Sequence, residues 1–285
     1  MKEIKVQAPA KINITLDVVN RREDGFHDLK SIMHTISLYD FLTLKIEDNQ
    51  GITIELSGNS DEIPYDDKNL VWKAAEKFFE AANITDVKLS VYLEKNIPVQ
   101  AGLAGGSTDA AATLFALNKL FDNVLTSQKI NELCASLGSD LNFCLKGGCA
   151  ICTSRGEAVR SIPFLELPVS IVKPRYMKIS AKEAFQEYDF QENQEHSDFT
   201  DRLVPLIVRG NFDENLMHND LEAPLIRKYN HIKNMKKNLK NSLMSGSGPI
   251  FYKFAKEFEV LFDKDEFIVF ENLKTTGDGV KVVKG

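Results

Sequence analysis

The chain has 285 residues, 43% of them hydrophobic, and a formal net charge of -6. This length and apolar content support a globular protein of one large domain or two ordinary ones. The acidic balance argues against the clustered Lys and Arg surface that nucleic acid or an acidic membrane requires, and favours small soluble ligands with no obligate protein partner.

The start, "MKEIKVQAPAKINITLDV", alternates like a strand, and no apolar run is long enough to cross a bilayer, so a cytoplasmic protein is expected. From Ile4 to Val18 every even position is apolar, which predicts a strand bent or split at Pro9. Its polar face carries Lys11 and Asn13 side by side; read alone, Lys11 is a solvent-facing strand lysine. After the polar turn "NRREDGFHDLKS", the stretches "IMHTISLYDFLTLKIED" and "GITIELSG" predict antiparallel strands joined by a turn. "DDKNLVWKAAEKFFEAAN" has helical spacing at Leu70, Ala74, Ala75, Phe78 and Phe79, with Asp66 or Asp67 as its cap. Val87, Leu89, Val91 and Leu93 mark a further strand, which leads into "PVQAGLAGGSTDAAATLFALNKL". Leu114, Leu117, Leu120 and Phe121 in that stretch predict a helix from about Ser107 to Phe121.

The glycine-rich run therefore lies between a strand and a helix N-terminus, where unpaired backbone N–H groups and the helix dipole favour an anion. Gly102, Gly105 and Gly106 let the backbone approach a phosphate closely. Ser107 and Thr108 place hydroxyls where they can cap the helix or reach a phosphate-bound Mg²⁺. The run is not a Walker A loop, because Ser107 follows Gly106 with no lysine, and the GxGxxG dinucleotide pattern is absent. Taken by itself, it can also be an ordinary glycine turn.

A second helix near "SQKINELCASLG" precedes "SDLNFCLKGG" and a short buried strand with the CxxC spacing of Cys149 and Cys152. Residues three apart in a strand point to opposite faces, so these thiols diverge and do not form a metal or redox pair. Past about residue 160, "PVSIVKP" reads as a strand, "QENQEHSDFTD" as a polar loop, and helical segments lead to "SLMSGSGPIFYKF".

Three motifs in order, "APAKINITLDV", "PVQAGLAGGSTDAAA" and "LMSGSGPIFYKF", span nearly the whole chain and resemble those of the GHMP kinases. The resemblance implies an α+β fold of two domains with the ligands meeting between them. Residues 1–160 would form a ribosomal protein S5-like N-terminal domain with the ATP-binding glycine loop, and residues 161–285 a ferredoxin-like C-terminal domain. It implies ATP as phosphoryl donor, with Mg²⁺ carried by the nucleotide and no dedicated protein metal site. Gly102, Leu103, Ala104, Gly105, Gly106, Ser107 and Thr108 would hold the nucleotide, with Asn69 and Lys95 near the adenine. Asp140, in "LGSDLNF", would take or orient the proton of the substrate hydroxyl, and Lys11 beside it would stabilise the developing alkoxide. Asn13 would bind a substrate hydroxyl or phosphate, and the Gly246-Ser247-Gly248 turn would close over the phosphates.

Within the family, "AKINITLDVVNRREDGFHDLKS", "LGSDLNFCLKGGCAICTSRGE" and "NDLEAPL" resemble members whose substrate is a cytidine diphosphate sugar alcohol. Phe26 would stack on the cytosine, His27 would read its edge, and Phe185 would form the second aromatic wall, facing Phe26 or lying near it. The chain departs from the family at Gln100 and Ala104, where glycine is usual, and at Ala181, where a hydroxyl residue is expected; Ile250 also stands where Thr or Cys is common. A homoserine- or phosphomevalonate-type kinase and a non-catalytic nucleotide-binding protein are the competing readings.

Overall fold

The computed structural model describes residues 1–189 and 197–283. The chain opens with β1 (Lys2–Arg21), β2 (His27–Glu47) and β3 (Ile52–Gly58), followed by α1 (Leu70–Ala82) and β4 (Val87–Glu94). Next come α2 (Gly105–Leu120), α3 (Ser127–Leu137), α4 (Leu141–Lys146), β5 (Cys149–Ser154) and β6 (Ala158–Ile162). The remainder holds β7 (Pro168–Pro174), α5 (Ala181–Asp189), α6 (Phe199–Val208), β8 (His218–Asn219), α7 (Glu222–Lys228) and α8 (Asn230–Asn238). It ends with β9 (Leu243–Met244), β10 (Phe251–Lys253), β11 (Phe267–Lys274) and β12 (Lys281–Val282).

Strand β1 runs unbroken through Pro9. Its antiparallel pairing with β2 slips beside Pro9, and again near Asn13 and Val18, so bulges absorb the irregularity that the proline suggested would split it. The first sheet has the order β12-β1-β2-β4-β3, with β5 also on β2, β6 on β5 and β8 on β1. Strand β3 does not pair with β2: β4 lies between them, antiparallel to β2 and parallel to β3, because the α1 crossover returns the chain in the same direction. Phe78, Phe79, Leu114 and Leu117 from α1 and α2 pack with Leu42, Leu44, Leu89 and Val91 in one core against this sheet. Helix α2 is buried around most of its circumference, including Thr108, Asp109 and Thr113, so its hydrophobic pattern is weakly one-sided.

The second sheet has the order β11-β7-β10-β9, antiparallel throughout. This is the ferredoxin-like strand order. The connection from β10 to β11 carries turns and bends where that fold usually has a helix, and Phe258 and Phe262 fill the space against Phe251 and Phe267. Two late strands, β8 and β12, return to pair with β1 in the first sheet.

Several local expectations change. The α1 cap is Asn69, whose Oδ1 accepts from Val71 N at 2.9 Å, while Asp66 accepts from Lys68 N in the preceding turn. Helix α2 begins at Gly105, with Ala104 as its left-handed cap residue at φ 59, so Ser107 and Thr108 lie inside the first turn and cap nothing. Helix α6 starts within the stretch read as a polar loop, and residues 190–196 of that stretch lie outside the described residues. The four cysteines are free and buried. Cys149 packs with Ile14, Ile32 and Leu203, and Cys152 with the helix-covered core, so the two thiols do diverge. Burial pushes the Cys149 thiol up to about 12. Among the described residues, no helix is long and apolar enough to cross a membrane.

Candidate active site

The middle of β1 carries Lys11 and Asn13 into the interior, where they are 3% and 1% exposed, so Lys11 is not a solvated lysine. Its ammonium donates to Asn13 Oδ1 at 2.7 Å and lies 3.7 Å from Asp140 Oδ2. Asn13 Nδ2 donates in turn to Ser31 Oγ at 2.9 Å, which fixes the amide and aims its oxygen at Lys11. Asp140 stands just before α4 with its side chain 29% exposed, so the carboxylate is held by the lysine yet open to a ligand.

The glycine-rich loop is fastened to the same strand, because Lys11 N donates to Leu103 O at 3.1 Å. The first amide of the α2 ladder is Thr108 N, which donates to Ala104 O at 2.9 Å. The N–H groups of Gly105, Gly106 and Ser107 therefore have no acceptor within the helix, which is the arrangement that holds an anion. Gly102 has φ +79, and a Cβ there would collide with the carbonyl of Ser245. Ser245 Oγ donates to Gly102 O at 2.9 Å, so the late glycine turn closes directly on the loop. A Cβ on Gly246 would lie 3.2 Å from both Lys11 Nζ and Gly102 O. Asn219 Nδ2 donates to Met244 O and Gly246 O, both at 2.8 Å, and holds the turn in place.

Leu103 and Thr108 do not face this space. Leu103 is 1% exposed and packs with Ile12 and Ile97, and the Thr108 hydroxyl is buried beside the Cys144 thiol with no well-formed hydrogen bond. Gln100 and Ala104, the two departures from glycine, both adopt left-handed backbone, at φ 50 and 59. Ala181 begins α5, and the preceding Ser180 uses its hydroxyl to accept from Glu183 N at 3.1 Å.

Asn69 and Lys95 border the cleft but are already engaged. The Asn69 amide donates to Pro64 O at 2.7 Å while its oxygen caps α1. The Lys95 ammonium pairs with Asp40 and lies 2.7 Å from Asp109 Oδ2, with all three side chains buried. Burial works against the lysine's charge, but the two carboxylates outweigh it and hold its pKa above the ordinary value. Burial drives the Asp109 carboxyl well above the usual carboxylate range, and its Oδ1 has no partner. Asp40 spends its other oxygen on Asn96 N and Ile97 N, at 2.6 and 2.8 Å. This buried triad sits under the first turn of α2, where a Cβ on Gly105 would lie 3.3 Å from Lys95 Nζ.

At the other end, the turn into β2 presents Phe26, 52% exposed, and His27, 7% exposed. Phe185 does not face Phe26. It stacks on His27 with ring centroids 4.9 Å apart and planes 13° from parallel, too close for a base to enter between them. His27 Nε2 shares a hydrogen bond of 2.7 Å with Asp189 Oδ1, and the Arg155 guanidinium lies over the Phe26 ring at 5.2 Å. Phe26, His27, Phe185, Lys11, Asp140 and the glycine loop all border one cleft of about 880 Å³, a volume typical of ligand sites. Asp109, Arg155 and Asp189 border this cleft, with Asp40 buried behind Lys95, and none of the four was read from the sequence as a site residue.

Residues 69–150 match the GHMP kinases N terminal domain. The chain is 38% identical over 278 residues to a 4-diphosphocytidyl-2-C-methyl-D-erythritol kinase of Syntrophomonas wolfei, covering 93% of this chain and 94% of that protein. The chain belongs to the 4-diphosphocytidyl-2-C-methyl-D-erythritol kinase family. A member from Clostridium botulinum (strain Eklund 17B / Type B) is 40% identical over 261 residues, covering 88% of this chain and 90% of that protein. A crystal structure of 4-(cytidine 5'-diphospho)-2C-methyl-D-erythritol kinase superposes with a TM-score of 0.73 at 27% identity, over 96% of this chain and all of that one. A homoserine kinase from Cytophaga hutchinsonii gives a TM-score of 0.75 at 18% identity, over 99% of this chain and 98% of that one. That second likeness reflects the fold that this kinase family shares with other GHMP kinases.

Proposed function

We propose that this chain transfers the γ-phosphoryl group of ATP to the 2-hydroxyl of 4-(cytidine-5'-diphospho)-2-C-methyl-D-erythritol, a step of non-mevalonate isoprenoid precursor synthesis. The observation that carries the chemistry is the Lys11 ammonium, held by Asn13 at 2.7 Å, 3.7 Å from Asp140, and against the glycine loop and the Gly246 turn. In-line transfer needs neutralised phosphate charge, a positioned hydroxyl and an acceptor for its proton. Asp140 accepts the proton of the 2-hydroxyl as its oxygen bonds to the γ-phosphorus, the bond to the β-phosphate oxygen breaks, and ADP leaves. Lys11 stabilises the charge that develops on the attacking oxygen and on the phosphoryl group. Asn13 fixes the ammonium and orients the hydroxyl.

The free amides of Gly105, Gly106 and Ser107 suit the triphosphate, and the open space beside Gly106, where a Cβ would meet only Leu70 Cδ1 at 3.7 Å, leaves room for it. Mg²⁺ brought by the nucleotide supplies further charge neutralisation. Of the two hydroxyl residues at the helix start, Ser107 borders the cleft and Thr108 does not, so Ser107 is the one suited to such an ion. Phe26 and Arg155 form the exposed stacking surface for the cytosine end, and His27, clamped by Phe185 and Asp189, reads the base edge.

The test is ATP-dependent turnover of the cytidine compound beside mevalonate, homoserine and galactose, with Asp140→Asn as control. Turnover of the cytidine compound alone, lost in Asp140→Asn while ATP still binds, is the expected result. Equal loss of ATP binding and turnover would remove Asp140 from the proton-transfer role, and turnover of another alcohol in preference would overturn the substrate.

A further inference from the structure

We propose that Asp17, His218 and Asp220 bind a divalent transition-metal ion, Zn²⁺ or Mn²⁺, at a structural site outside the reaction cleft. Strand β8 lies parallel to β1, with Thr15 beside His218 and Leu16 beside Asn219. This pairing brings one imidazole nitrogen and two carboxylate oxygens together, all within 4.8 Å of one another. None of the three residues borders the cleft that holds Lys11 and Asp140.

The second observation is an orphaned ligand atom. Asp17 is wholly buried, its Oδ2 accepts from Thr200 N at 2.8 Å, and its Oδ1 has no hydrogen-bond partner. A buried carboxylate oxygen left bare is costly, and a cation satisfies it directly. Asp220 is held in the same manner: Oδ2 accepts from Val18 N at 2.7 Å, which leaves Oδ1 toward His218 Nε2, also at 2.7 Å. Ser197 Oγ donates to that Oδ1 at 2.6 Å and lies 3.2 Å from His218 Nε2, so a hydroxyl stands at the edge of the site.

Each carboxylate thus spends one oxygen on a backbone amide; Asp17 keeps its other oxygen unpartnered, while that of Asp220 is shared with Ser197 Oγ and His218 Nε2, a bracing of the kind that orients metal ligands. The imidazole is braced too, because Phe199 stacks on it with centroids 4.0 Å apart and planes within 12°. Among the described residues, no Lys or Arg forms an ion pair with either carboxylate. The excess negative charge of the cluster therefore calls for a cation from solution. A donor set with one imidazole suits Zn²⁺ or Mn²⁺ better than Mg²⁺, which prefers oxygen ligands and retains its waters.

His218 is 29% exposed at its side chain and borders a surface depression of about 340 Å³, which gives an ion a route in. Asn219, which ends β8 between His218 and Asp220, holds the Gly246 turn through its amide. An ion here would therefore pin β1 to the segment that positions that turn. The competing state is metal-free, with His218 Nε2 hydrogen-bonded to Asp220 Oδ1.

The test uses the full-length chain stripped with a chelator, titrated with Zn²⁺ and with Mn²⁺ in the absence of nucleotide, and followed by calorimetry and thermal unfolding. The expected result is saturable binding of one ion per chain and a Tm rise of roughly 5–10 °C at a hundredfold excess over Kd, with no rise from Mg²⁺ at the same concentration. His218→Gln and Asp17→Asn are each expected to weaken binding by at least about a hundredfold, while Cys149→Ala, which removes the other candidate ligand type, leaves it intact. His218→Gln alters a partly exposed side chain and keeps the test open if Asp17→Asn fails to fold. Absence of saturable binding to the parent chain, binding unchanged in His218→Gln, or binding lost in Cys149→Ala would each overturn the assignment.

Discussion

Gly102→Ala separates the two demands placed on the glycine loop. At φ +79 an alanine costs about 1–2 kcal/mol in backbone conformation alone. Its Cβ would also strike the Ser245 carbonyl and come within 3.0 Å of Gly248 N, so the loop and the late turn must move apart, by on the order of 1 Å, to restore ordinary contact. That movement strains the Ser245 Oγ to Gly102 O bond of 2.9 Å and the Lys11 N to Leu103 O bond of 3.1 Å, and so shifts the phosphate cradle relative to Lys11. A misplacement of about 1 Å costs about a hundredfold in rate. Coupled detection of ADP release should therefore show kcat/KM down by about two orders of magnitude, alongside a Tm lowered by several degrees. Gly210→Ala is the matched control, because its φ is +77 and a Cβ there meets nothing within 4 Å. It should lose comparable conformational stability with no loss of activity. Wild-type kcat/KM in Gly102→Ala, or an equal activity loss in Gly210→Ala, would refute the argument that the Ser245 contact sets the cradle.

Burial holds the His34 imidazole down to about 4, below its usual 6.5, so the unfolded chain binds the extra proton between those values. Its neutral form supports the fold above about pH 6.5, and up to about 3 kcal/mol of stability is lost as pH falls from there toward 4; a Tm–pH profile as steep in His34→Gln as in the parent would assign that loss to other groups. Lys95→Met leaves Asp40 and Asp109 buried without their cation and should cost about 3–5 kcal/mol by denaturant unfolding, and a cost below about 1 kcal/mol would show that the triad is not held by its lysine. Asp189→Asn removes the charge opposite His27 Nε2 and should raise KM for the cytidine substrate by about 10-fold with KM for ATP unchanged; parallel rises would detach Asp189 from base recognition.

Period and spacing carried the strands and helices that bury one clear face. Strands β1 and β4 and helices α1 and α3 show their pattern locally, because each alternation or helical stripe records which side meets a core, whereas β5 and β7 are buried on both faces and show only short runs. Pairing is a different kind of information. The neighbour of β3 depends on where α1 returns the chain, and no residue of "GITIELSG" encodes that β4 inserts between it and β2. Caps were misread because Asp66, Asp67 and Asn69 offer similar side-chain acceptors within one turn. The choice among them was made by the Pro64 carbonyl, which takes the Asn69 amide and leaves its oxygen for Val71.

The site was legible where the motif is continuous in sequence and hidden where it is assembled by charge. Lys11 and Asn13 share one short motif, the glycine run forms a second and Asp140 lies in a third, and their meeting was anticipated through the resemblance to the GHMP kinases. The Asp40–Lys95–Asp109 triad joins β2, the residue just after β4 and α2, and each member alone looks like an ordinary surface ion. Such a triad matters because Gly105 lies against the lysine: the first turn of α2 rests on a buried ammonium whose place is fixed by two carboxylates. The same reasoning explains His27. Sequence placed it beside Phe26 as a pair, yet its ring is held by Phe185 and Asp189 from α5, an element that follows it by more than a hundred residues. In both cases the residue that touches the ligand space is near the motif, and the group that fixes it comes from elsewhere in the fold. The Lys95→Met and Asp189→Asn variants both probe that separation, since each alters the support while leaving the residue it supports, Gly105 or His27, in the sequence.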